Sequence, residues 1–222
     1  DEKYKSPIPK DLRWRNWAAD DEGITGDELL EFINNSLFPR LKKLDVSSND
    51  KRGLIVRDLF TDAYNYMKHG ALIRQVVNKL NEIDFNSTKD RHTFNDIYEQ
   101  ILKDLQSAGN AGEYYTPRAI TQFVVDVIKP KIGERVLDPA CGTGGFLICT
   151  LENLKKVAKS VEDRKKIQRG LIGFEKKPLP HMLCTTNMIL HDVEIPDIRH
   201  QNSLARPYTD YGSADKVDVV VT

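Results

Sequence analysis

Apolar residues recur every three or four positions through the first half of the chain, and this spacing predicts amphipathic helices. Four segments show the pattern: 25–38, 53–68, 70–83 and 93–105. Thr25 and Glu28 give a capping-box signal at the start of the first segment, and Thr93 can cap the last. Pro39 falls in the first pattern, so we expect that helix to end or bend there. The stripes are typical of core packing, and residues 1–110 are predicted to form a helical domain.

The second half of the chain alternates short apolar runs with helical patterns. Strands are predicted at 135–138, 171–175, 195–199 and 217–221, with helices from about 144 and over 179–190. The charged stretch from Lys155 to Arg169 is interpreted as the end of a helix and a loop, with its charges in solvent. Repeated strand–helix units predict an α/β domain over residues 111–222, built on a mostly parallel, doubly wound sheet.

A small polar link, QSAGNAGEYY, separates the two halves, and a helix is predicted directly after it. Thr116 is placed at the N-cap and Pro117 at the first helical position, where each residue type is favoured. The helix is expected to bury its apolar residues: Ile120, Phe123, Val124, Val127 and Ile128. Its N-terminus would offer free N–H groups to the carboxylate of an amino-acid ligand, although the pattern alone indicates only a helix start.

Residues 135–146, RVLDPACGTGGF, combine a strand, a glycine-rich turn and the start of a helix. This layout holds a nucleotide-like ligand at the carboxyl edge of an α/β sheet, and an ordinary tight turn is the alternative. Glu175 ends the next strand, where an acid can accept hydrogen bonds from both hydroxyls of a ribose. The 37-residue spacing from Asp138 and the presence of Leu147 at the third glycine position argue against NAD and favour a smaller nucleoside ligand.

The charge balance and the cysteine content of the chain limit the classes of function that the sequence allows. The chain carries 33 basic and 33 acidic residues, whereas a stand-alone DNA-binding protein usually shows a basic excess. Any phosphate binding is therefore expected to come mainly from another chain or another part of this one. Three cysteines without a CxxC pair, together with the lack of a signal-peptide core or membrane-length apolar run, indicate a cytoplasmic setting. Metal-ligand motifs are missing, so no metal site is expected.

The ordered set GEYYTPR, DPACGTGGF and LIGFE resembles the modification subunit of type I restriction–modification systems. The resemblance covers roughly residues 10–222 and is clearest from residue 112 onward. Members of this family are N6-adenine DNA methyltransferases that use S-adenosylmethionine. The resemblance implies an S-adenosylmethionine-dependent, Rossmann-like methyltransferase domain that follows the helical domain in the sequence. The implied partners are DNA, a specificity subunit, a restriction subunit and a second copy of the modification subunit. The resemblance implies no association with a membrane.

The same resemblance implies a set of cofactor-binding residues. Asp138 would contact the amino group of the methionine part, directly or through water, and Glu175 would hold the ribose. The backbone of the cofactor would pack against Thr143, Gly144 and Gly145. The methionine end would be lined by Glu113, Tyr114, Tyr115, Thr116, Pro117 and Arg118. A weaker match places Asn202-Ser203-Leu204 near the adenine ring.

The family's catalytic motif, Asn/Asp-Pro-Pro-Phe/Tyr, directly follows the fourth strand and would begin after Thr222. No catalytic residue is therefore assigned, and this chain is expected to be an incomplete domain that transfers no methyl group alone. Three alternatives remain open: a methyltransferase acting on protein glutamine or ribosomal RNA, a non-catalytic assembly module, and, less favoured, an NAD-linked oxidoreductase.

Overall fold

The computed structural model describes residues 5–85, 87–107 and 116–222, and the chain divides into two compact units, Asp1–Arg91 and His92–Thr222. Helices of the first unit are α1 (Trp14–Trp17), α2 (Gly26–Glu31), α3 (Phe38–Lys42), α4 (Lys51–Thr61) and α5 (Gly70–Asn81). The remaining helices are α6 (Thr88–Ser107), α7 (Arg118–Ile128), α8 (Gly145–Val157), α9 (Val161–Gly170) and α10 (Pro178–Leu190). Among the described helices, none has the length and apolar composition that crossing a membrane requires.

Of the two outcomes expected at Pro39, an end or a bend of the first helix, the end does not occur. A π-helical segment, Phe32–Leu37, joins α2 to α3, and the N–H of Phe38 donates to the carbonyl of Ile33, five residues back. Pro39 is then the second residue of α3, directly after the π-helical segment. The wider turn before Pro39 thus lets the chain continue as a helix.

The other helix boundaries of this unit also differ from the predicted ones. Thr25 is the N-cap of α2 but makes no capping hydrogen bond, because the left-handed Gly26 (φ 58°) interrupts the regular first turn that a capping box needs. The helix α4 stops at Thr61, because the side chain of Asn65 bonds to both backbone groups of Met67 and so favours a turn over further helix. The core of the unit is helical, as predicted.

The second unit is built on four parallel strands in the order β3-β2-β1-β4. Their bounds are β1 (Val136–Asp138), β2 (Leu171–Glu175), β3 (Asp197–His200) and β4 (Val219–Val220). The predicted α/β architecture with a helical N-terminal region is confirmed. Because β2 and β3 extend the sheet to one side of β1 and β4 lies on the other, the strand order reverses at β1. Such a switch point opens a crevice at the carboxyl ends of the strands.

One helix of this unit was not predicted. The helix α9 is a separate helix in the charged stretch for which only the end of the preceding helix and a loop are predicted, and a capping box begins it. The hydroxyl of Ser160 accepts from the N–H of Asp163, and the Asp163 carboxylate accepts from the N–H of Ser160, both at 3.0 Å. Aspartate here replaces the usual glutamate of a capping box, and these two bonds satisfy donors that a helix start leaves unpaired.

The helix α7 begins one residue later than predicted and packs through a different face. Pro117, not Thr116, is its N-cap. Thr121 and Val125 are fully buried against α8, whereas Phe123 is 67% and Val127 65% exposed. The expectation of a buried apolar stripe was wrong, because contact with α8 selects the side of the helix that carries the small Thr121.

The helix α6 also starts earlier than predicted, at Thr88 rather than Thr93. Only part of the predicted apolar stripe is buried. Tyr98 and Leu102 are buried, while Ile97 and Ile101 are about half exposed. Tyr98 donates from its hydroxyl to the carbonyl of Leu183, which fastens α6 to α10 within the second unit. The division of the chain into domains at residue 110 stays a prediction.

Candidate cofactor site

The glycine turn after β1 adopts a backbone that only glycine takes readily. Gly142 and Gly144 are left-handed, with φ angles of 53° and 89°. The turn is fixed to its surroundings by the N–H of Cys141, which donates to the carbonyl of Phe174 on β2 at 2.9 Å. A Cβ added to Gly142 would meet nothing within 4 Å, so this glycine faces open space. The turn therefore presents bare backbone to a cavity.

Glu175 lies beside this turn, as the parallel pairing of β1 and β2 requires. One carboxylate oxygen, Oε2, accepts from the N–H of Gly142 at 3.0 Å, and the other, Oε1, accepts from the N–H of Lys177 at 2.7 Å. Because a carboxylate oxygen has two lone pairs, each oxygen can accept one more hydrogen bond. The side chain is thus held in place with two acceptors available for a pair of hydroxyl groups.

A cavity of about 330 Å³ opens at the carboxyl ends of β1 and β4, where the strand order reverses. Its walls come from the ends of α6 and α7, the glycine turn, α8 and α10. The lining residues are Glu99, Leu102, Thr116, Pro117, Arg118, Thr121, Asp138, Ala140, Cys141, Gly142, Thr143, Gly145, Phe146, Asn187 and Thr222. Its size and its position at the switch point suit a nucleoside-like ligand.

A second cavity, of about 360 Å³, lies elsewhere on the same sheet beside Phe174. Two of the arginine side chains that line it already form ion pairs: Arg199 with Asp197 and Arg206 with Asp215, each at 2.8 Å. It lacks the glycine turn and the buried acid that surround the cavity at β1. We therefore place the candidate site at the end of β1.

Asp138 lies at the bottom of this site and is only 1% exposed. Burial raises the pKa of its carboxyl to about 7, and the charge of Glu175 adds to the rise. The N–H of Ala140 donates to Oδ1 at 3.1 Å and partly offsets the shift. Asp138 is thus close to half ionised near neutral pH, and a cationic ligand group would favour its charged form.

The start of α7 brings three of the predicted residues to the cavity. Thr116, Pro117 and Arg118 all line it, while Glu113, Tyr114 and Tyr115 lie outside the described residues. The guanidinium of Arg118 binds the carboxylate of Glu152 on α8 at 2.9 Å and also donates to the carbonyl of Gly145.

Arg118 therefore joins α7 to α8 as well as lining the cavity. Contacts with His191 and then Arg118 lower the pKa of Glu152, so this carboxylate is charged.

Only some residues of the glycine turn line the cavity. Thr143 and Gly145 line it, but Gly144 faces α10, where an added Cβ would lie 2.9 Å from the sulfur of Cys184. Gly144 is therefore required for close packing of the turn on α10, and its contact with a cofactor stays a prediction. Cys141 hydrogen bonds to Cys184, and this bond and burial raise the pKa of its thiol, so a reactive role is not supported.

Some residues of the site were not predicted from the sequence. Asn187 lines the cavity from α10, and its Nδ2 donates to the carbonyl of Thr143 at 3.1 Å. An amide side chain next to the apolar residues Met188-Ile189-Leu190 of a predicted helix is the one signal that could have indicated it. Ser203 donates to the carbonyl of Pro139, which brings the predicted adenine segment next to the end of β1, although Leu204 in that segment is exposed.

The parallel α/β sheet, the glycine turn after β1 and the acid at the end of β2 define a Rossmann-like domain. Residues 89–222 match the N-6 DNA Methylase family, and residues 1–80 match the HsdM N-terminal domain. The chain belongs to the N-6 DNA methylase family.

Known relatives point to one group within this family. The chain is 58% identical, over 222 residues, to the Type I restriction enzyme EcoEI methylase subunit of Escherichia coli, covering 99% of this chain and 45% of that protein. A crystal structure assigned to a modification subunit of a type I restriction enzyme from Vibrio vulnificus YJ016 aligns with a TM-score of 0.80 and 42% identity, over 98% of this chain and 48% of that one. A structure from a study of type I R-M system assembly and conformational transition gives a TM-score of 0.83 and 36% identity, over 96% of this chain and 43% of that one. The chain thus spans about half the length of the relatives it matches.

Proposed function

We propose that the full-length protein is the modification subunit of a type I restriction–modification system and methylates adenine at N6 in DNA. The observation that carries the proposal is the 58% identity to the EcoEI methylase subunit across the whole chain. The geometry of the site supports it, because a nucleoside-sized cavity opens next to the glycine turn. Glu175 does not line this cavity, but its carboxylate bonds to Gly142, which does. The proposed partners are DNA, a specificity subunit, a restriction subunit and a second modification subunit. The proposed location is the cytoplasm.

The residues that line the cavity and those beside it fit S-adenosylmethionine. Glu175 keeps two acceptors for the ribose hydroxyls, and the buried carboxyl of Asp138 suits the ammonium group of the methionine part. Thr143 and Gly145 offer a wall on which the ligand backbone can lie. The cofactor would supply an activated methyl group. The protein's own part, in the described residues, is to bind the donor and to orient it at the end of β1.

A methylation assay tests this function directly. The full-length protein, assembled with its specificity subunit, is incubated with DNA and S-adenosylmethionine labelled in the methyl group. We expect label in DNA as N6-methyladenine, identified by mass spectrometry of the nucleosides. Label in cytosine, ribosomal RNA or protein glutamine would contradict the proposal. Residues 1–222 alone, tested in parallel, are expected to transfer no label.

The affinity for S-adenosylmethionine should rise with pH as Asp138 ionises. If the ammonium group binds the carboxylate form, the pKa of about 7, together with partial loss of the ammonium proton, predicts an increase of about five- to sixfold between pH 6.0 and 7.5. In this range the α-amino group, with a pKa of about 7.7 to 8.0, stays mostly protonated. Calorimetry on the wild type and on Asp138→Asn measures the effect, and the variant should bind weakly with a flat profile. An equally steep profile in the variant would assign the titration to another group.

A further inference from the structure

Asn187 is a buried polar side chain on α10, where Thr185 and Thr186 precede it and the apolar Met188-Ile189-Leu190 follows it. It is 2% exposed, and Cys184 and Met188 on the same helix are fully buried. Its Nδ2 donates to the carbonyl of Thr143, while its Oδ1 has no hydrogen-bond partner among the described residues. A leucine would fill similar space without burying an unpaired acceptor. Packing alone therefore does not explain an asparagine at this position.

The Thr143 carbonyl lies between the two left-handed glycines of the turn. The neighbouring carbonyls of Cys141 and Gly144 accept from the N–H groups of Gly144 and Ile148, which are close in sequence. The carbonyl of Thr143 instead receives its bond from a side chain 44 residues away. One side chain of α10 thus fixes a peptide group in the wall of the cavity.

We propose that Asn187 is a positioning residue for the cofactor, which holds the Thr143 carbonyl against α10 and away from the ligand. The proposal rests on the proposed function for the identity of that ligand. Without the bond, a carbonyl oxygen with its partial negative charge is free to turn into a cavity that must take the carboxylate end of S-adenosylmethionine. The turn would also lose one of its two described hydrogen bonds to side chains of α10, the other being the bond of Cys141 to Cys184.

Asn187 is itself held by the helices around the cavity. Its backbone carbonyl accepts from Nδ1 of His191 at 2.9 Å, and Nε2 of His191 lies 3.5 Å from the carboxylate of Glu152. Glu152 in turn binds Arg118 at the start of α7. The end of α10 is therefore connected to α8 and α7, so Asn187 can serve as a fixed point for the turn.

Two substitutions separate a positioning role from a packing role. Asn187→Leu removes the donor together with the unpaired acceptor, and Asn187→Asp keeps the size but sets a negative oxygen against the Thr143 carbonyl. We expect both to weaken S-adenosylmethionine binding to the full-length protein about tenfold or more in calorimetry, with the thermal midpoint of the leucine variant nearly unchanged. Thr150→Val is the matched control, because it removes another buried polar atom without a described partner, the Thr150 hydroxyl, on α8 and outside the cavity lining. Its binding should equal that of the wild type.

Hydrogen exchange in the ligand-free protein provides a readout that does not depend on the cofactor. Amides of residues 141–147 should exchange about tenfold faster in the folded variants than in the wild type. If the wild type binds no S-adenosylmethionine, the proposed function fails, and the exchange result alone decides whether Asn187 orders the turn. If the leucine variant does not fold, the aspartate variant carries both measurements. Affinity within twofold of the wild type, or unchanged exchange in a folded variant, overturns the positioning role.

Discussion

Replacing Glu175 with alanine is expected to weaken S-adenosylmethionine binding by about a hundredfold or more. The carboxylate offers the ribose two charge-assisted hydrogen bonds, and bonds of this kind contribute about 1.5 to 3 kcal/mol each. The same change removes the acceptors for the N–H groups of Gly142 and Lys177, so the turn that faces the cavity loses its support as well. Calorimetry on the full-length protein at constant pH measures the loss.

Two variants at the same strand end identify the origin of this effect. Glu175→Gln keeps one carbonyl oxygen as an acceptor but lacks the charge, and we expect an intermediate loss of about tenfold. Lys176→Ala alters an exposed side chain one residue further along and should leave the affinity unchanged. An alanine variant that binds as tightly as the wild type would remove Glu175 from the site and leave it only a role in supporting the turn.

The parts of this site that the sequence predicted are those that depend on local chemistry. The strand before Asp138, the left-handed glycines and the acid that ends β2 follow from residue types a few positions apart. Pairing of parallel neighbouring strands then brings Glu175 to the turn without further information. The family resemblance added S-adenosylmethionine as the proposed ligand, which no residue pattern specifies on its own.

The errors arose where tertiary contacts choose between locally acceptable alternatives. The sequence of α7 shows an apolar stripe through Phe123, yet the helix packs through Thr121, because α8 presents Cys149 at hydrogen-bond distance from the Thr121 hydroxyl. Asn187 could not be assigned to the site, because its partner Thr143 is distant in sequence. The helix α9 was missed because its charged residues gave little apolar pattern, although Ser160 already provided the start signal.

Replacing Arg74 with methionine is expected to destabilise the N-terminal unit by about 3 kcal/mol or more. Arg74 is 5% exposed, and its guanidinium donates to four backbone carbonyls in the segment that connects α1 to α2. The acceptors are the carbonyls of Trp17, Ala18, Asp20 and Ile24. Each carbonyl that loses its donor in a buried setting costs about 1 to 3 kcal/mol. Asp20 is exposed to solvent, and the carbonyl of Ala18 keeps a hydrogen bond from Asn81. The expected loss of stability therefore counts only the carbonyls of Trp17 and Ile24.

Tryptophan fluorescence during urea unfolding measures this change selectively. The chain has two tryptophans, Trp14 and Trp17, and both lie in the N-terminal unit next to the segment that Arg74 holds. Lys79→Met is the matched control on α5: it makes the same replacement at an exposed cation whose ion pair with Glu82 contributes little, so its midpoint should stay unchanged.

A lysine at position 74 separates charge from geometry. Arg74→Lys keeps the positive charge, but a single ammonium group cannot reproduce the planar fork that bridges carbonyls from Trp17 to Ile24. We therefore expect the lysine variant to recover less than half of the stability lost in Arg74→Met. A lysine variant as stable as the wild type would show that charge alone holds the segment, and a methionine variant with an unchanged midpoint would show that water replaces the guanidinium without cost. The loss expected for methionine is a large part of the 5 to 15 kcal/mol by which folded domains are typically stable. A single side chain on α5 would thus determine whether the segment between α1 and α2 keeps its fold.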